Sequence, residues 1–283
     1  QLRFEPMPLR SLVRQLREGA LTGELLERSR RSDRLLMRGA GRNCRALVTS
    51  AMAQRDGAPL LVVVPTLEEA GRWTALLELM GWSMACLYPT SEGSPYEPFD
   101  PTSEIIWGQL QVLSDLLNDP EASGRAIVAT ERCLQPHLPP PQSLKNTCRV
   151  LKRGDEVDLE SLSETLAKLG YERVSTIDQE GTWSRRGDIV DIFSVSSELP
   201  VRLEFFGEEL VKLREFDPAT QRSLDPIDLL RLTPTGFSPL IADQLRDTMP
   251  DGLSSLLGEQ ATDELLEGGT PEGMRRLMGL AWN

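Results

Sequence analysis

Two hydrophobic patterns divide the chain. Up to about residue 135, short apolar runs alternate with helical patterns, as in Pro59–Pro65, which precedes a helix capped by Thr66. A continuous apolar run bounded by prolines is typical of a strand buried on both faces of a parallel sheet. The alternation of such strands with helices predicts an α/β domain built on a parallel sheet.

Further elements of this first domain follow from the same patterns. Strands are predicted at Arg34–Met37, Ser83–Leu87 and Ala126–Ala129, and helices at about 8–30, 44–55, 66–80 and 105–117. After the proline-rich connector Pro136–Pro141, the pattern changes to that of a small α+β domain with an antiparallel sheet. Residues 239–283 then have helical patterns and are expected to pack back on the first domain.

The segment Val201–Phe206 alternates strictly between two faces. A period of two places Arg202, Glu204 and Phe206 together on the side opposite the core. Arginine and aromatic residues are common anchors of protein interfaces, so this face is predicted to bind a partner. The pattern also fits a sheet covered on both sides, in which Phe206 is a core residue and Arg202–Glu204 an ordinary surface pair.

Charge is distributed unevenly along the chain. The net charge of −12 divides into +6 over residues 1–58, from 12 arginines and 6 acidic residues, and therefore −18 over residues 59–283. An acidic body argues against autonomous nucleic-acid binding, although the basic start could contact DNA or an acidic partner. No apolar run is long enough to cross a bilayer.

The cysteines and the histidine predict no metal site. Cys44, Cys86, Cys133 and Cys148 form no C-x-x-C pair, and His137 is the only histidine. Scattered cysteines of this kind fit reduced thiols in the cytoplasm. A Cys–His catalytic pair is conceivable on paper, but the setting of His137 among prolines favours an ordinary loop residue.

A glycine turn follows the strand predicted at Arg34–Met37. A phosphate loop there would need G-x-x-x-x-G-K-[ST], since backbone amides cradle the phosphates, lysine neutralises charge and the hydroxyl holds magnesium. The corresponding residues are Gly39, Gly41, Asn43, Cys44 and Arg45. The second loop glycine, the lysine and the hydroxyl are absent, which favours a tight turn that binds no nucleotide.

Four motifs carry a family resemblance, namely Arg186–Asp188, Asp191–Phe193, Arg202–Phe206 and Phe216–Gln221. They resemble the second domain of the excision-repair helicase UvrB. They are still more similar to the UvrB-homologous amino-terminal module of the bacterial transcription-repair coupling factors. This resemblance implies docking of the damage sensor UvrA through Arg186, Arg202, Glu204 and Phe206.

The resemblance also separates the two families. UvrB has an intact phosphate loop and a tyrosine-rich hairpin that clamps DNA, whereas this chain has a degenerate loop and only Ser94–Pro101 at the corresponding place. One departure from UvrB is Ser184, where UvrB often has a further arginine. The chain is therefore expected to have no catalytic residues, cofactor or metal of its own.

The predicted organisation has three parts: a UvrB-like α/β domain over 1–137, a UvrA-docking α+β domain over 138–234 and a truncated helical segment over 235–283. The first residue, Gln1 rather than Met, suggests processing or a fragment. The resemblance implies a cytoplasmic, non-catalytic recruitment module in transcription-coupled nucleotide excision repair. RNA polymerase binding, DNA binding and ATP-driven translocation would belong to domains absent here.

The rival hypothesis is enzymatic. A divergent ATPase or nucleic-acid-processing domain would need carboxylates such as Asp188 and Asp191 to bind magnesium. The two are three positions apart on a predicted strand and so point to opposite faces, which argues against one shared ion.

Overall fold

A computed structural model describes residues 8–32, 34–90, 102–118, 124–134 and 138–282. By their contacts, the described residues fall into two compact units. The first contains those up to Thr90 together with 124–134, and the second contains 102–118 and 138–282. The domain boundaries expected after residues 137 and 234 remain a prediction. Ser94–Pro101 and His137 lie outside the described residues.

The first unit contains a parallel sheet of three strands in the order β1-β3-β2. Thr66 caps the helix after β1 by accepting a hydrogen bond from the backbone N–H of Glu69, as its sequence predicts. The elements are α1 (Leu9–Glu18), α2 (Ala20–Arg31), α3 (Arg42–Asp56), β1 (Leu60–Val64), α4 (Leu67–Glu78), β2 (Met84–Leu87), β3 (Arg125–Thr130) and a 3-10 helix (Glu131–Leu134).

The predicted parallel sheet is confirmed, but two details are wrong. The described residues 34–38 form no strand, and the turn of Gly39 and Gly41 leads into α3 without one. Residues 34–38 pair with no strand among the described residues, and Leu36 stays exposed instead of joining a core. Burial of β1 is one-sided as well, since α1, α3 and α4 pack on one face while Leu61 and Val63 remain exposed.

The second unit contains an antiparallel sheet and a group of helices. Its elements are α5 (Ser103–Asn118), α6 (Pro141–Thr147), β4 (Arg149–Lys152), α7 (Leu159–Lys168), β5 (Glu172–Arg173), β6 (Thr182–Arg186), β7 (Ile189–Phe193), β8 (Val201–Phe206), β9 (Glu209–Phe216), β10 (Ser223–Pro226), β11 (Leu229–Leu232), α8 (Ser238–Thr248), α9 (Leu253–Leu257), α10 (Glu259–Leu266), a 3-10 helix (Met274–Leu277) and α11 (Met278–Ala281).

The main sheet of this unit has the strand order β10-β9-β8-β7-β6-β5, and all its pairs are antiparallel except β5 with β6. One face packs on α7, where Leu162, Leu166, Trp183, Ile192 and Leu203 share a core. The predicted α+β character is therefore confirmed. On the opposite face, Ile177, Phe193 and Phe216 form a small second cluster, and the rest of that face carries polar residues.

The C-terminal helices form a second core within the same unit. Leu110 of α5 packs there with Phe237, Ile241, Leu245 and Met274. Helix α5 lies within the range 1–137 of the first predicted domain, whereas its contacts place it with these helices. None of the helices in the described ranges combines the length and apolarity required to span a bilayer.

Candidate protein-docking site

Antiparallel register assembles the predicted docking residues on one face of the main sheet. Across the strands, Arg186 is paired with Ile189, which is paired with Glu204, which is paired with Lys212. Two positions further along the strands, on the same face, Ser184 lies opposite Asp191, which lies opposite Arg202. We call this surface the outer face, defined by Arg186, Asp191, Arg202, Glu204, Phe206 and Lys212.

The alternation predicted for β8 is confirmed. Val201, Leu203 and Phe205 are buried in the core, whereas Arg202 and Glu204 are half-buried and Phe206 is 79% exposed. Its phenyl ring is thus the most exposed large hydrophobic side chain among the described residues. The alternative in which Phe206 is a core residue does not fit this burial.

A buried carboxylate lies at the centre of the outer face. Asp191, with a side chain only 1% exposed, accepts hydrogen bonds from Arg202 Nε at 2.7 Å and Arg202 NH2 at 2.9 Å. It also accepts one from Arg186 NH2 at 2.9 Å. Burial of a carboxylate is tolerated when it is paired and hydrogen-bonded, and Asp191 accepts three such bonds from two guanidinium groups.

Arg202 is held on several sides. Its guanidinium lies 4.7 Å from the centre of the Phe216 ring, and its NH1 donates to the carbonyl of Gln221 at 3.4 Å. The hydrogen bond to Asp191 raises the pKa of Arg202 above its ordinary value, against the opposing effect of burial. Arg202 therefore stays charged and is fixed in place rather than free to reach a partner.

Backbone hydrogen bonds fix the hairpin that carries Phe206. Gly207, with a φ of 63°, makes the tight turn between β8 and β9. On the other side of β9, the Leu210 N–H donates to Asp155 and the Gly154 N–H donates to Leu210. Nearby, Glu204 accepts a salt bridge from Lys212 at 2.8 Å. The exposed phenyl ring is thus presented on an ordered backbone.

The carboxylates at and near the outer face do not form the magnesium site of the rival hypothesis. Asp191 is already neutralised by two guanidinium groups, and Asp188 lies exposed in the turn between β6 and β7. Within the described ranges, no three His, Cys, Asp or Glu residues are grouped as metal ligands. The magnesium-binding carboxylate pair of the rival hypothesis is therefore not formed by Asp188 and Asp191.

The glycine turn of residues 39–41 forms a plain helix start. Gly41 is the N-cap of α3 without a side-chain cap, and the next residue, Arg42, forms a salt bridge of 2.8 Å with Glu69. Asn43, Cys44 and Arg45 are exposed on the first turns of α3. Lysine and hydroxyl groups do not occur among them, so the sequence departs here from a phosphate loop.

Sequence reasoning missed the central role of Asp191, which it considered only as a magnesium ligand. A signal was available in the pattern. A tight turn at Gly187–Asp188 pairs Arg186 with Ile189, and continuing that register pairs Ser184 with Asp191. The further pairing of Asp191 with Arg202 depends on the separate register of β7 with β8. Ser184, noted as a departure from UvrB, is buried beside this carboxylate.

Comparison with known proteins defines the class of the second unit first. Residues 150–236 match the UvrB interaction domain, and this range includes every residue of the outer face. The second unit therefore contains a region similar to the UvrB interaction domain.

Curated relatives extend the similarity to most of the chain. Transcription-repair-coupling factors of Haemophilus influenzae and Mycobacterium bovis are 32% and 31% identical to it over 69% and 85% of its length, covering 17% and 20% of those proteins. The factor of Escherichia coli is 29% identical over 76% of this chain and 19% of its own length. These matches confirm the resemblance to the UvrB-homologous module of transcription-repair coupling factors. The chain spans about a fifth of the length of these relatives.

Proposed function

We propose that the chain is a non-catalytic module that recruits UvrA in transcription-coupled nucleotide excision repair. The observation that carries this proposal is the outer face, where Phe206 is exposed on an ordered hairpin beside a cluster of charged side chains. An exposed aromatic residue next to arginines is a common composition of interface hot spots. The position of this face within the UvrB interaction domain supports the assignment.

The exposed groups indicate what a partner should offer. Arg186 can donate to a carboxylate, and Phe206 can fill an apolar pocket. Glu204, already paired with Lys212, can interact with a basic residue at the rim. Arg202, largely enclosed by Asp191 and Phe216, contributes chiefly by fixing this arrangement.

The module acts within a longer protein in this proposal. RNA polymerase binding, DNA binding and ATP-driven translocation are assigned to parts of the protein outside the chain, since the chain spans about a fifth of the length of its relatives. The glycine turn also lacks the groups of a phosphate loop. The setting of such a protein is the bacterial cytoplasm.

The test is a binding measurement between the 283-residue chain and purified UvrA. Phe206→Ala should weaken binding by about 2 kcal/mol, roughly thirtyfold in Kd, without lowering the melting temperature. Leu256→Ala is the matched control, since Leu256 is an exposed apolar residue on α9, away from the main sheet. Undiminished binding by the Arg186→Ala/Phe206→Ala double variant would contradict the proposal.

A further inference from the structure

We infer that Asp191 is a positioning residue of the outer face, which fixes the guanidinium of Arg186 for a carboxylate of the partner and uses Arg202 as a brace. This inference rests on the proposed function for its partner. Its geometric part, the restraint of Arg186, concerns the unbound chain and can be tested separately.

Exposure separates the roles of the three side chains. Asp191 is 1% exposed, Arg202 16% and Arg186 60%. A partner can therefore reach Arg186 directly, whereas Asp191 can act on a partner only through the residues that it binds. Burying a carboxylate is costly unless its hydrogen bonds are made, and here both oxygens accept from guanidinium groups.

The hydrogen-bond donors that each arginine uses support the same division of roles. A guanidinium has five N–H donors. Arg202 uses donors on all three nitrogens, two toward Asp191 and one toward the Gln221 carbonyl. Arg186 uses only NH2 toward Asp191, so its remaining donors are available for a partner carboxylate.

Charge explains why a carboxylate is needed at this position. Two arginines that approach the same point repel each other, and Asp191 compensates for one of the two charges. The group keeps a net charge of +1, which suits an anionic partner. Holding Arg186 in one orientation beforehand reduces the side-chain entropy that binding would otherwise cost.

The experiment compares Asp191→Asn with the wild-type chain, using Asp188→Asn in the exposed neighbouring turn as the matched control. Asn keeps the shape of Asp but removes the charge that restrains Arg186. Affinity for UvrA should fall about tenfold in Asp191→Asn and stay unchanged in the control. In an Arg186→Ala background, Asp191→Asn should cause no further loss, because the two changes act through one side chain. Fully additive losses would overturn the inference.

A second measurement does not involve UvrA. Side-chain ¹⁵N NMR of the unbound chain should show the Arg186 guanidinium restrained relative to that of Arg214, an exposed arginine on β9. Asp191→Asn should release Arg186 to the mobility of Arg214. If the variant does not fold, the comparison of Arg186 with Arg214 in the wild-type chain still decides. Equal mobility of the two arginines there would overturn the positioning role. Restraint of Arg186 without any UvrA binding would refute the proposed function alone.

Discussion

The outer face and the glycine turn show how differently two conspicuous sequence features can be realised. On the outer face, residues that are separated along the chain meet through strand register, and their charges are paired. At the glycine turn, the candidate residues are neighbours in sequence, yet they form only the start of α3. The difference lies in the structural context that each feature requires.

A polar outer face needs only correct alternation on a sheet whose other face packs on a core. A phosphate loop also needs a strand before it, glycines at fixed positions, a lysine and a hydroxyl. The first requirement is met by β6–β9, which pack one face on α7. The second requirement fails in both chemistry and geometry, because the described residues 34–38 form no strand.

The largest expected effect tests which residues of β8 are structural. Phe205→Ala should destabilise the chain by about 3–5 kcal/mol, since Phe205 is buried in the core under the outer face. Phe206→Ala, one residue further, should change stability by no more than about 0.5 kcal/mol. Urea denaturation of the two variants measures both values. Similar losses from the two would mean that Phe206 is covered and would remove the contrast.

High pH should also lower the stability of the unit that carries the outer face. Burial raises the pKa of Tyr171 to about 12, and its hydroxyl donates to the Thr233 carbonyl at 2.9 Å. A raised pKa favours the neutral form in the folded state, so this contribution is complete below pH 10 and is lost as the pH rises to 12. The loss should be about 2–3 kcal/mol. Urea denaturation between pH 9 and 12 should show it in the wild type, while Tyr171→Phe shows a smaller dependence.

Predictions from the sequence succeeded where the information is local and failed where it depends on distant segments. Alternation in Val201–Phe206 is local, and it predicted correctly which side chains are buried. The strand at Arg34–Met37 was a wrong prediction, because four residues do not reveal whether a ladder partner exists. Leu61 and Val63 were expected to be buried for a similar reason, since the covering of a second face is decided by distant segments.

The central carboxylate was harder to predict than the face around it. An aspartate on a strand, such as Asp191, can be a metal ligand, a surface charge or a buried counter-ion. The residue type alone does not distinguish these three roles. Its pairing with Arg202 depends on the register of β7 with β8, which are joined by a connection longer than a tight turn. Register of this kind depends on tertiary packing.

A smaller effect is expected from the backbone of the glycine turn. Gly39 has a φ of 71°, where a side chain is strained, whereas Gly41 has a φ of −70°, which any residue adopts. Gly39→Ala should therefore cost about 1 kcal/mol, and Gly41→Ala should be close to neutral. Thermal denaturation compares them directly. Equal losses of stability in the two variants would mean that the positive φ of Gly39 does not require glycine.

The smallest expected effect is the response to nucleotide, where we predict no heat of binding when Mg-ATP is titrated into the chain. Asn43, Cys44 and Arg45 stand where glycine, lysine and a hydroxyl residue are needed. A control variant separates chemistry from geometry: Arg38→Gly, Asn43→Gly, Cys44→Lys and Arg45→Ser together restore the residues and the spacing of G-x-x-x-x-G-K-S. It should still not bind, since no strand precedes the turn. If this variant binds Mg-ATP and the wild type does not, the missing groups and not the missing strand prevent binding in the wild type. A micromolar Kd for the wild type, about −8 kcal/mol, would revive the ATPase hypothesis.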